Sequence, residues 1–271
     1  MQGWKHWIPT QTKINYLQAL LKVGFDTIDC GSFVSARAIP QMADTHQVLQ
    51  AIDTSGSRSK LLAIVANVRG AQEAVLQPAI HYLGFPFSVS PTFQQLNANS
   101  TLADSFSRVQ QVQELCIKNG KQLVVYISMG FGNPYGDAYD AQIVQYWVQK
   151  MIDEQVSIIS LADTVGLATP AQVSALLQTL LPAYPATTIG VHLHSASSNW
   201  QQKATAALQA GCLRFDGALK GIGGCPMANN ELVGNMDTEK MIPYFEQLGL
   251  LPNLDKNALE ACSRMAASIF I

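Results

Sequence analysis

Short apolar segments rich in β-branched residues alternate with amphipathic helical patterns along the whole of this 271-residue chain. Seven segments are predicted as strands: Asp26–Cys30, Lys60–Ala66, Ile80–Phe87, Gln122–Met129, Ser157–Ala162, Thr188–His194 and Arg214–Leu219. They are nearly continuous apolar runs, which is typical of parallel strands that are covered by helices. The alternation therefore predicts an α/β protein built on a parallel sheet.

Helical patterns fill the intervals between these strands. The main ones are Thr10–Val23, Leu102–Asn119, Ala141–Glu154, Pro170–Leu181 and Trp200–Ala210, with a last one at about 255–271. Thr169 before Pro170 predicts an N-cap followed by proline at the first helical position. Gly24, Gly120 and Gly211 follow three of these helices, where a left-handed residue usually ends a helix.

The spacing of the strands favours a TIM barrel, the (β/α)8 fold, as one domain over residues 1–271. The predicted strands recur about every 31 residues, which is close to one eighth of a typical barrel of about 250 residues. A doubly wound open sheet is the alternative. That architecture usually carries a Gly-x-Gly-x-x-Gly phosphate loop after its first strand, and this motif is absent from the sequence.

A complete barrel has eight strands, and the sequence offers seven. The chain opens with a loop that leads into its first helix, and the segment from Asp255 to Ile271 is predicted to be helical. We therefore expect the first strand of the barrel to lie upstream of Met1, so that the chain is a truncated product.

The composition excludes several classes of protein. Charged residues make up 13% of the chain, against about 25% in an average soluble protein, which suits strands buried on both faces and a subunit interface; we expect a homodimer. A net charge of −2 provides no basic face for nucleic acid or an anionic membrane. The sequence contains neither a membrane-spanning apolar run nor a secretory signal. Five scattered cysteines without a CxxC motif favour reduced thiols and a cytoplasmic location.

Polar residues lie at the carboxyl end of nearly every predicted strand. They are Asp29, Ser32, Asn67, Ser88, Ser90, Asn133, Asp163, His192, His194 and Lys220. Because the carboxyl ends of barrel strands meet at one rim, we expect these side chains to converge on one site. The residues predicted to bind a substrate there are Ser32, Asn67, Asn133 and Lys220.

The segment Val191-His192-Leu193-His194 places two imidazoles on the same face of a strand, because side chains alternate with a period of two. Such a pair is suited to binding a divalent metal. Cys225, in the glycine-rich segment Gly221–Pro226, and the nearby amide of Asn235 are candidates to close over whatever the metal binds. The alternative is that the histidines are two partly exposed strand residues.

Several roles are open to Asp163, Asp29 and the Cys225 thiol. Asp163 ends a predicted strand and is a candidate metal ligand, acid or base, or orienter of a histidine, or else it caps a turn. The same alternatives apply to Asp29, and two rim carboxylates near a metal would differ in pKa. Cys225 lies between glycine and proline, in a loop suited to a proton donor or nucleophile rather than to a buried structural cysteine.

Five motifs follow one another along the chain: Ser32–Asp44, Gly132–Tyr135, Ile159–Gly166, Val191–His194 and Gly221–Pro226. In this order they resemble the motifs of 3-hydroxy-3-methylglutaryl-CoA lyases, within the metal-dependent TIM-barrel lyases and synthases. The likeness extends from Gln2 to about Gly249. Its specific part is the Gly-Gly-Cys-Pro loop, because the related synthases and aldolases lack that loop.

This resemblance implies a set of roles. It implies that His192, His194 and Asn235 bind Mg²⁺ or Mn²⁺, and that the catalytic residues are Cys225, Asp163, Asp29 and His192. Asp29 takes the position of the family's strand-2 glutamate. The implied reaction is the retro-Claisen cleavage of hydroxymethylglutaryl-CoA to acetyl-CoA and acetoacetate, as in leucine degradation.

Three departures from the family pattern keep other functions open. The family's Arg-Asp pair would fall before Met1, Ser195–Trp200 replaces an Asp-Thr-Tyr-Gly motif, and the stretch from Cys225 to Asn235 is one residue longer than usual. One alternative is a related aldolase or lyase with another acyl-CoA or 2-oxo acid substrate. The other is a catalytically impaired barrel that lacks the Arg-Asp pair.

Overall fold

The computed structural model describes residues 1–223, 233–251 and 253–271. Its strands are β1 (Thr27–Ser32), β2 (Lys60–Ile64), β3 (Ile80–Ser88), β4 (Gln122–Ser128), β5 (Ile158–Asp163) and β6 (Thr188–Leu193). Its α-helices are α1 (Thr10–Val23), α2 (Thr45–Ala51), α3 (Val68–Val75), α4 (Pro91–Ala98), α5 (Leu102–Lys118), α6 (Ala141–Asp153), α7 (Pro170–Ala183), α8 (Trp200–Gln209), α9 (Thr238–Gln247) and α10 (Lys256–Ile269).

All six strands are parallel, and they lie side by side in the order β1-β2-β3-β4-β5-β6. Because each strand neighbours the next one in the chain, the sheet lacks the reversal of strand order that defines a doubly wound fold. The helices between the strands cover the outer face of the curled sheet. This is a TIM-barrel architecture, as predicted.

The barrel is incomplete in the part of the chain that the structure describes. There, β1 pairs with β2 on one side, and no strand joins its other edge to β6. This agrees with the prediction of a barrel that lacks a strand.

The predicted seventh strand, Arg214–Leu219, was wrong. The segment begins as a strand would, because the Val191 N–H donates to the Arg214 carbonyl and the Asp216 N–H donates to the Val191 carbonyl, both at 3.0 Å. This contact forms a single bridge beside β6 and extends no further.

Beyond this bridge the chain changes partner. The Ala218 N–H donates to the Met236 carbonyl at 3.0 Å, and the 3-10 helix Leu219–Gly221 follows. Gly217 lies at the change of direction, where a Cβ atom would come within 2.3 Å of the Met241 side chain. The apolar pattern predicted an extended backbone here, but a strand also needs a continuous neighbour.

The helix ends follow the sequence signals closely. Helix α1 has its predicted bounds and ends at Gly24, which has a φ of 84°. The Thr169 side chain accepts a hydrogen bond from the Gln172 N–H at the start of α7, a cap that stabilises a helix by about 1 kcal/mol. Across the described residues, none of the helices has both the length and the apolar character needed to cross a membrane.

The interior of the curled sheet carries an apolar layer with polar residues beyond it. The layer consists of Leu62, Tyr82, Val124 and Ile158. Because residues two apart share a face of a strand, Tyr126 and Ser160 lie on the same face as Val124 and Ile158, one step nearer the carboxyl edge. The apolar layer therefore supports a polar site at that edge.

Candidate active site

The structure brings the three predicted metal ligands together at the end of β6. His194 follows the strand and forms an antiparallel bridge with Asn235. The ring centroids of His192 and His194 are 5.3 Å apart. His192 is half-buried, whereas His194 is 4% exposed.

Each imidazole has a hydrogen-bond acceptor at Nδ1. The His192 Nδ1 lies 3.3 Å from the Asp216 Oδ2, and the His194 Nδ1 lies 3.1 Å from the Val233 carbonyl oxygen. An acceptor at Nδ1 places the ring proton there and leaves Nε2 as a lone-pair donor, the usual arrangement of metal-binding histidines. Burial, followed by the neighbouring His192, lowers the pKa of His194 to about 4, so that this ring is neutral at pH 7.

Asp216 is the centre of what we call the His192 network, formed by Tyr126, Ser160, His192 and Asp216. The Ser160 hydroxyl donates to the Asp216 Oδ2 at 3.1 Å, and Tyr126 meets the His192 ring edge-on at 5.7 Å. Burial opposes ionisation of Asp216, but the His192 hydrogen bond, the charges of His192 and Arg214 and the Ser160 hydrogen bond together lower the pKa of the carboxyl. Burial raises the pKa of Tyr126 well above its usual value, so the phenol stays neutral.

The side chain of Asn235 completes a donor set that fits a divalent cation. Its Nδ2 donates to the Ile222 carbonyl at 3.0 Å, and among the described residues its Oδ1 accepts no hydrogen bond. Two imidazole nitrogens and an amide oxygen can then face one ion, and carbonyl-type oxygens suit Mg²⁺ or Mn²⁺. Within the described residues, no three His, Cys, Asp or Glu side chains form a metal cluster, so the amide oxygen is essential to this donor set.

Asp29, in β1, lies within the electrostatic influence of the His192 network. Solvent reaches its carboxylate, but the surrounding protein displaces enough water to raise its pKa to about 6. Asp216 adds a smaller effect in the same direction, whereas the Gly31 N–H at 3.3 Å and His192 oppose the rise. Asp29 therefore changes protonation close to neutral pH.

Asp163 ends β5 and has both carboxylate oxygens occupied. Its Oδ2 lies 2.7 Å from the Lys203 ammonium, and its Oδ1 accepts from the Ala168 N–H at 3.0 Å. The same ammonium donates to the His194 carbonyl at 2.8 Å. Asp163 therefore closes the turn after β5 through the Ala168 N–H, and it is linked to His194 through the Lys203 ammonium.

Two of the predicted substrate-binding residues share a cavity of about 550 Å³ beyond β1 and β2. Ser32 is buried, and its hydroxyl accepts from the Val34 N–H at 3.1 Å. Asn67 caps α3 by accepting from the Gly70 N–H at 2.9 Å. The β1–α2 segment and α3 line the cavity, and the Arg69 side chain in its lining is paired with the Glu73 carboxylate at 3.0 Å.

The other two predicted substrate-binding residues lie elsewhere. Asn133 Oδ1 accepts from the N–H groups of Tyr135 and Asp137, and its Nδ2 donates to the Asp137 carbonyl. Lys220 has a φ of 58° and lies 3.4 Å from the Glu239 carboxylate. In the described part of the chain, no hydrogen bond or ion pair joins either residue to the His192 network.

Cys225 lies outside the described residues, and its predicted role as the active-site thiol stays a prediction. The other four cysteines, Cys30, Cys116, Cys212 and Cys262, are buried free thiols.

Sequence reasoning missed Asp216, Ser160, Tyr126 and Lys203. The first three had a detectable signal, because each interrupts the apolar pattern of a predicted strand. The prediction considered mainly residues at the carboxyl ends of strands. Lys203 had no signal, since a lysine between Gln202 and Ala204 in a helix is usually solvent-exposed.

Comparison with known proteins agrees with this geometry. The HMGL-like family model matches residues 1–266. The (R)-citramalyl-CoA lyase of Chloroflexus aurantiacus is 32% identical over 261 residues, covering 93% of this chain and 82% of that protein. The hydroxymethylglutaryl-CoA lyase YngG of Bacillus subtilis is 31% identical over 258 residues, covering 95% of this chain and 85% of that protein.

A solved structure of an HMG-CoA lyase from Acinetobacter baumannii, in complex with coenzyme A and 3-methylmalate, superposes with a TM-score of 0.91. It is 30% identical, and the match covers 99% of this chain and 87% of that one. The chain belongs to the HMGL-like family. The resemblance to 3-hydroxy-3-methylglutaryl-CoA lyases and the classification as a lyase-like enzyme are thereby confirmed.

Proposed function

We propose that this protein is a divalent-metal-dependent lyase that cleaves hydroxymethylglutaryl-CoA to acetyl-CoA and acetoacetate. The observation that carries the proposal is the pairing of His192 and His194, whose Nδ1 atoms both face acceptors, with Asn235 held next to His194 by a backbone bridge. Membership of the HMGL-like family and a 31%-identical relative named for this substrate support the choice of reaction.

His192, His194 and Asn235 would hold the metal, for which we propose Mg²⁺ or Mn²⁺. A bound divalent cation supplies positive charge that lowers the pKa of a substrate hydroxyl and offsets negative charge formed during the reaction. Asp216 and Val233 keep the two imidazoles in the tautomer that binding requires.

Asp29 is the proposed base for the tertiary hydroxyl of the substrate, and its pKa of about 6 leaves it ionised at neutral pH. When it takes the hydroxyl proton, the carbon–oxygen bond becomes the ketone of acetoacetate and the neighbouring carbon–carbon bond breaks. The electron pair of that bond forms the enolate of acetyl-CoA. The enolate carbon then accepts a proton, for which we propose the Cys225 thiol as donor or relay.

The thioester substrate needs a pocket at the carboxyl edge of the sheet. We propose that the cavity lined by Ser32 and Asn67 receives part of the acyl-CoA. A related lyase has been solved with coenzyme A, which supports a CoA-bound substrate. For Asn133 and Lys220, a role in substrate binding stays a prediction.

A specific observation supports a second candidate substrate. The relative from Chloroflexus aurantiacus, at 32% identity, is named a citramalyl-CoA lyase. The segment Ser195–Trp200, which departs from the pattern of the hydroxymethylglutaryl enzymes, follows directly after His194. Citramalyl-CoA is therefore the alternative acyl group for the same type of cleavage.

We further propose a cytoplasmic location and a homodimer. Four described cysteines are free thiols, and several relatives are named as cytoplasmic lyases, although others are named as mitochondrial. The low charge content of the chain supports a subunit interface.

The test is to incubate the metal-loaded protein with each thioester separately and to identify the products by mass spectrometry. Release of acetyl-CoA and acetoacetate from hydroxymethylglutaryl-CoA, lost on chelation of the metal, is the expected result. Turnover of citramalyl-CoA alone would overturn the substrate assignment but keep the lyase reaction. Turnover of neither thioester by protein that has bound metal would indicate a catalytically impaired barrel.

A further inference from the structure

We propose that Lys203 and Asp163 form a positioning unit that fixes the direction of His194. The inference deepens the proposed function, since His194 is a metal ligand only under that proposal. Lys203 belongs to α8 on the outside of the sheet, yet its side chain is 1% exposed and reaches the carboxyl edge.

The Lys203 ammonium uses its full hydrogen-bonding capacity. It lies 2.7 Å from the Asp163 Oδ2, 2.8 Å from the His194 carbonyl oxygen and 3.3 Å from the Gly166 carbonyl oxygen. An ammonium has three N–H donors, and a buried one is tolerated when it is paired and fully hydrogen-bonded. The three acceptors come from the end of β5, the turn that follows it, and the residue after β6.

His194 is thereby held on its backbone as well as on its ring. Lys203 holds the His194 carbonyl, the ring Nδ1 faces the Val233 carbonyl, and the Ser195 N–H donates to the Gly234 carbonyl at 3.0 Å. The turn held by Lys203 also packs on Val233, because a Cβ at Gly166 would lie 2.9 Å from that side chain. The backbone and ring contacts of His194 therefore depend on one cluster of residues.

A second buried pair, Lys13 with Asp44, provides a matched control. Its ammonium and carboxylate are also 2.7 Å apart, and the two side chains are 2% and 8% exposed. Lys13 also donates to the Gln41 carbonyl, so this pair ties α1 to the segment before α2. Loss of this pair removes a similar interaction without touching His194.

The experiment compares two double variants, Lys203→Met with Asp163→Leu, and Lys13→Met with Asp44→Leu. Replacing both partners by apolar residues avoids leaving a charge unpaired, which a single change would do. Two quantities are measured in folded, metal-free protein: hydrogen exchange at the Ser195 amide and the affinity for added Mn²⁺ by electron paramagnetic resonance. Lys203→Gln, which keeps an amide donor, serves as a milder variant if the double variant does not fold.

We expect the Lys203 double variant to exchange the Ser195 amide faster and to bind Mn²⁺ about 10–100-fold more weakly, the usual effect of losing an outer-shell partner. The Lys13 double variant should keep both values. Unchanged exchange and unchanged Mn²⁺ affinity in a folded Lys203 variant would overturn the inference. Failure of the parent protein to bind Mn²⁺ would instead overturn the proposed metal-dependent function, and the exchange rates would still decide whether Lys203 orders His194.

Discussion

Two polar regions at the carboxyl edge of the sheet look alike in the sequence and differ in the structure. Beyond β3 and β4, the Thr92 hydroxyl donates to Asp137 at 2.8 Å, and Asn133 is occupied by the backbone of its own turn. At the end of β6, His192 and His194 use one ring nitrogen each for hydrogen bonds within the protein. The first region is internally satisfied, whereas the second keeps donor atoms for a ligand.

The difference arises from the distance along the chain between the partners. Asn133 finds its acceptors and donors within four residues, as asparagine commonly does in turns. His192 is hydrogen-bonded to Asp216, which is 24 residues away on a different segment. Hydrogen-bond partners that lie far along the chain therefore distinguish the His192 region from the turn at Asn133.

The largest expected effect is that of His194→Ala. The change removes one of the two imidazoles, and we expect it to abolish Mn²⁺ binding and metal-dependent turnover while the fold persists. Isothermal titration with Mn²⁺ and a thermal melt measure the two properties. His81→Ala, at an exposed histidine near the other end of β3, is the matched control and should bind as the parent does. Normal Mn²⁺ binding by His194→Ala would show that His194 is not a metal ligand. The proposed difference in function between the two regions would then be wrong.

Asp216→Asn should produce the next largest effect. The amide can no longer act as a charged acceptor for the His192 Nδ1, and we expect the metal affinity to fall by about 10–100-fold. Ser160→Ala removes one hydrogen bond to the same oxygen and should have a smaller effect. If both variants bound metal equally well, the proposal that Asp216 orients His192 would be wrong.

Asn133→Ala tests the region beyond β3 and β4, where we expect an effect on stability rather than on binding. Three hydrogen bonds are lost from the turn, and we expect the free energy of unfolding to fall by about 1–3 kcal/mol. Chemical denaturation measures this loss, and steady-state kinetics should show an unchanged KM for the thioester. A raised KM with unaltered stability would instead support the substrate-binding role that the sequence predicts.

Much of the architecture was predictable because its signals are local. The bounds of α1 and the cap of α7 follow from side-chain periodicity and from the residues at helix ends. The proximity of His192 and His194 follows from alternation along one strand. The unpredictable features depend on contacts that are distant in the chain: the change of partner at Gly217 and the burial of Lys203. Neither has a local pattern, because each is decided by the surface that the segment meets.

The smallest expected effect concerns the pH dependence of stability, to which Asp29 contributes. Its pKa is about 6 in the folded protein, above the ordinary value of 3.8, so the folded state holds this proton more tightly than the unfolded state. The Asp29 contribution to the free energy of unfolding should therefore decrease as the pH rises from about 4 to 6 and be constant above that range. Because solvent reaches the carboxylate, screening keeps the change modest.

Urea denaturation of metal-free parent and Asp29→Asn protein at pH 4.5 and pH 7 isolates this contribution, since the other titrating groups are common to both. We expect the variant to gain stability relative to the parent at the higher pH. An equal difference in stability between variant and parent at both pH values would mean that the pKa of Asp29 is not raised. The proposal that its pKa suits it to act as the base would then be wrong.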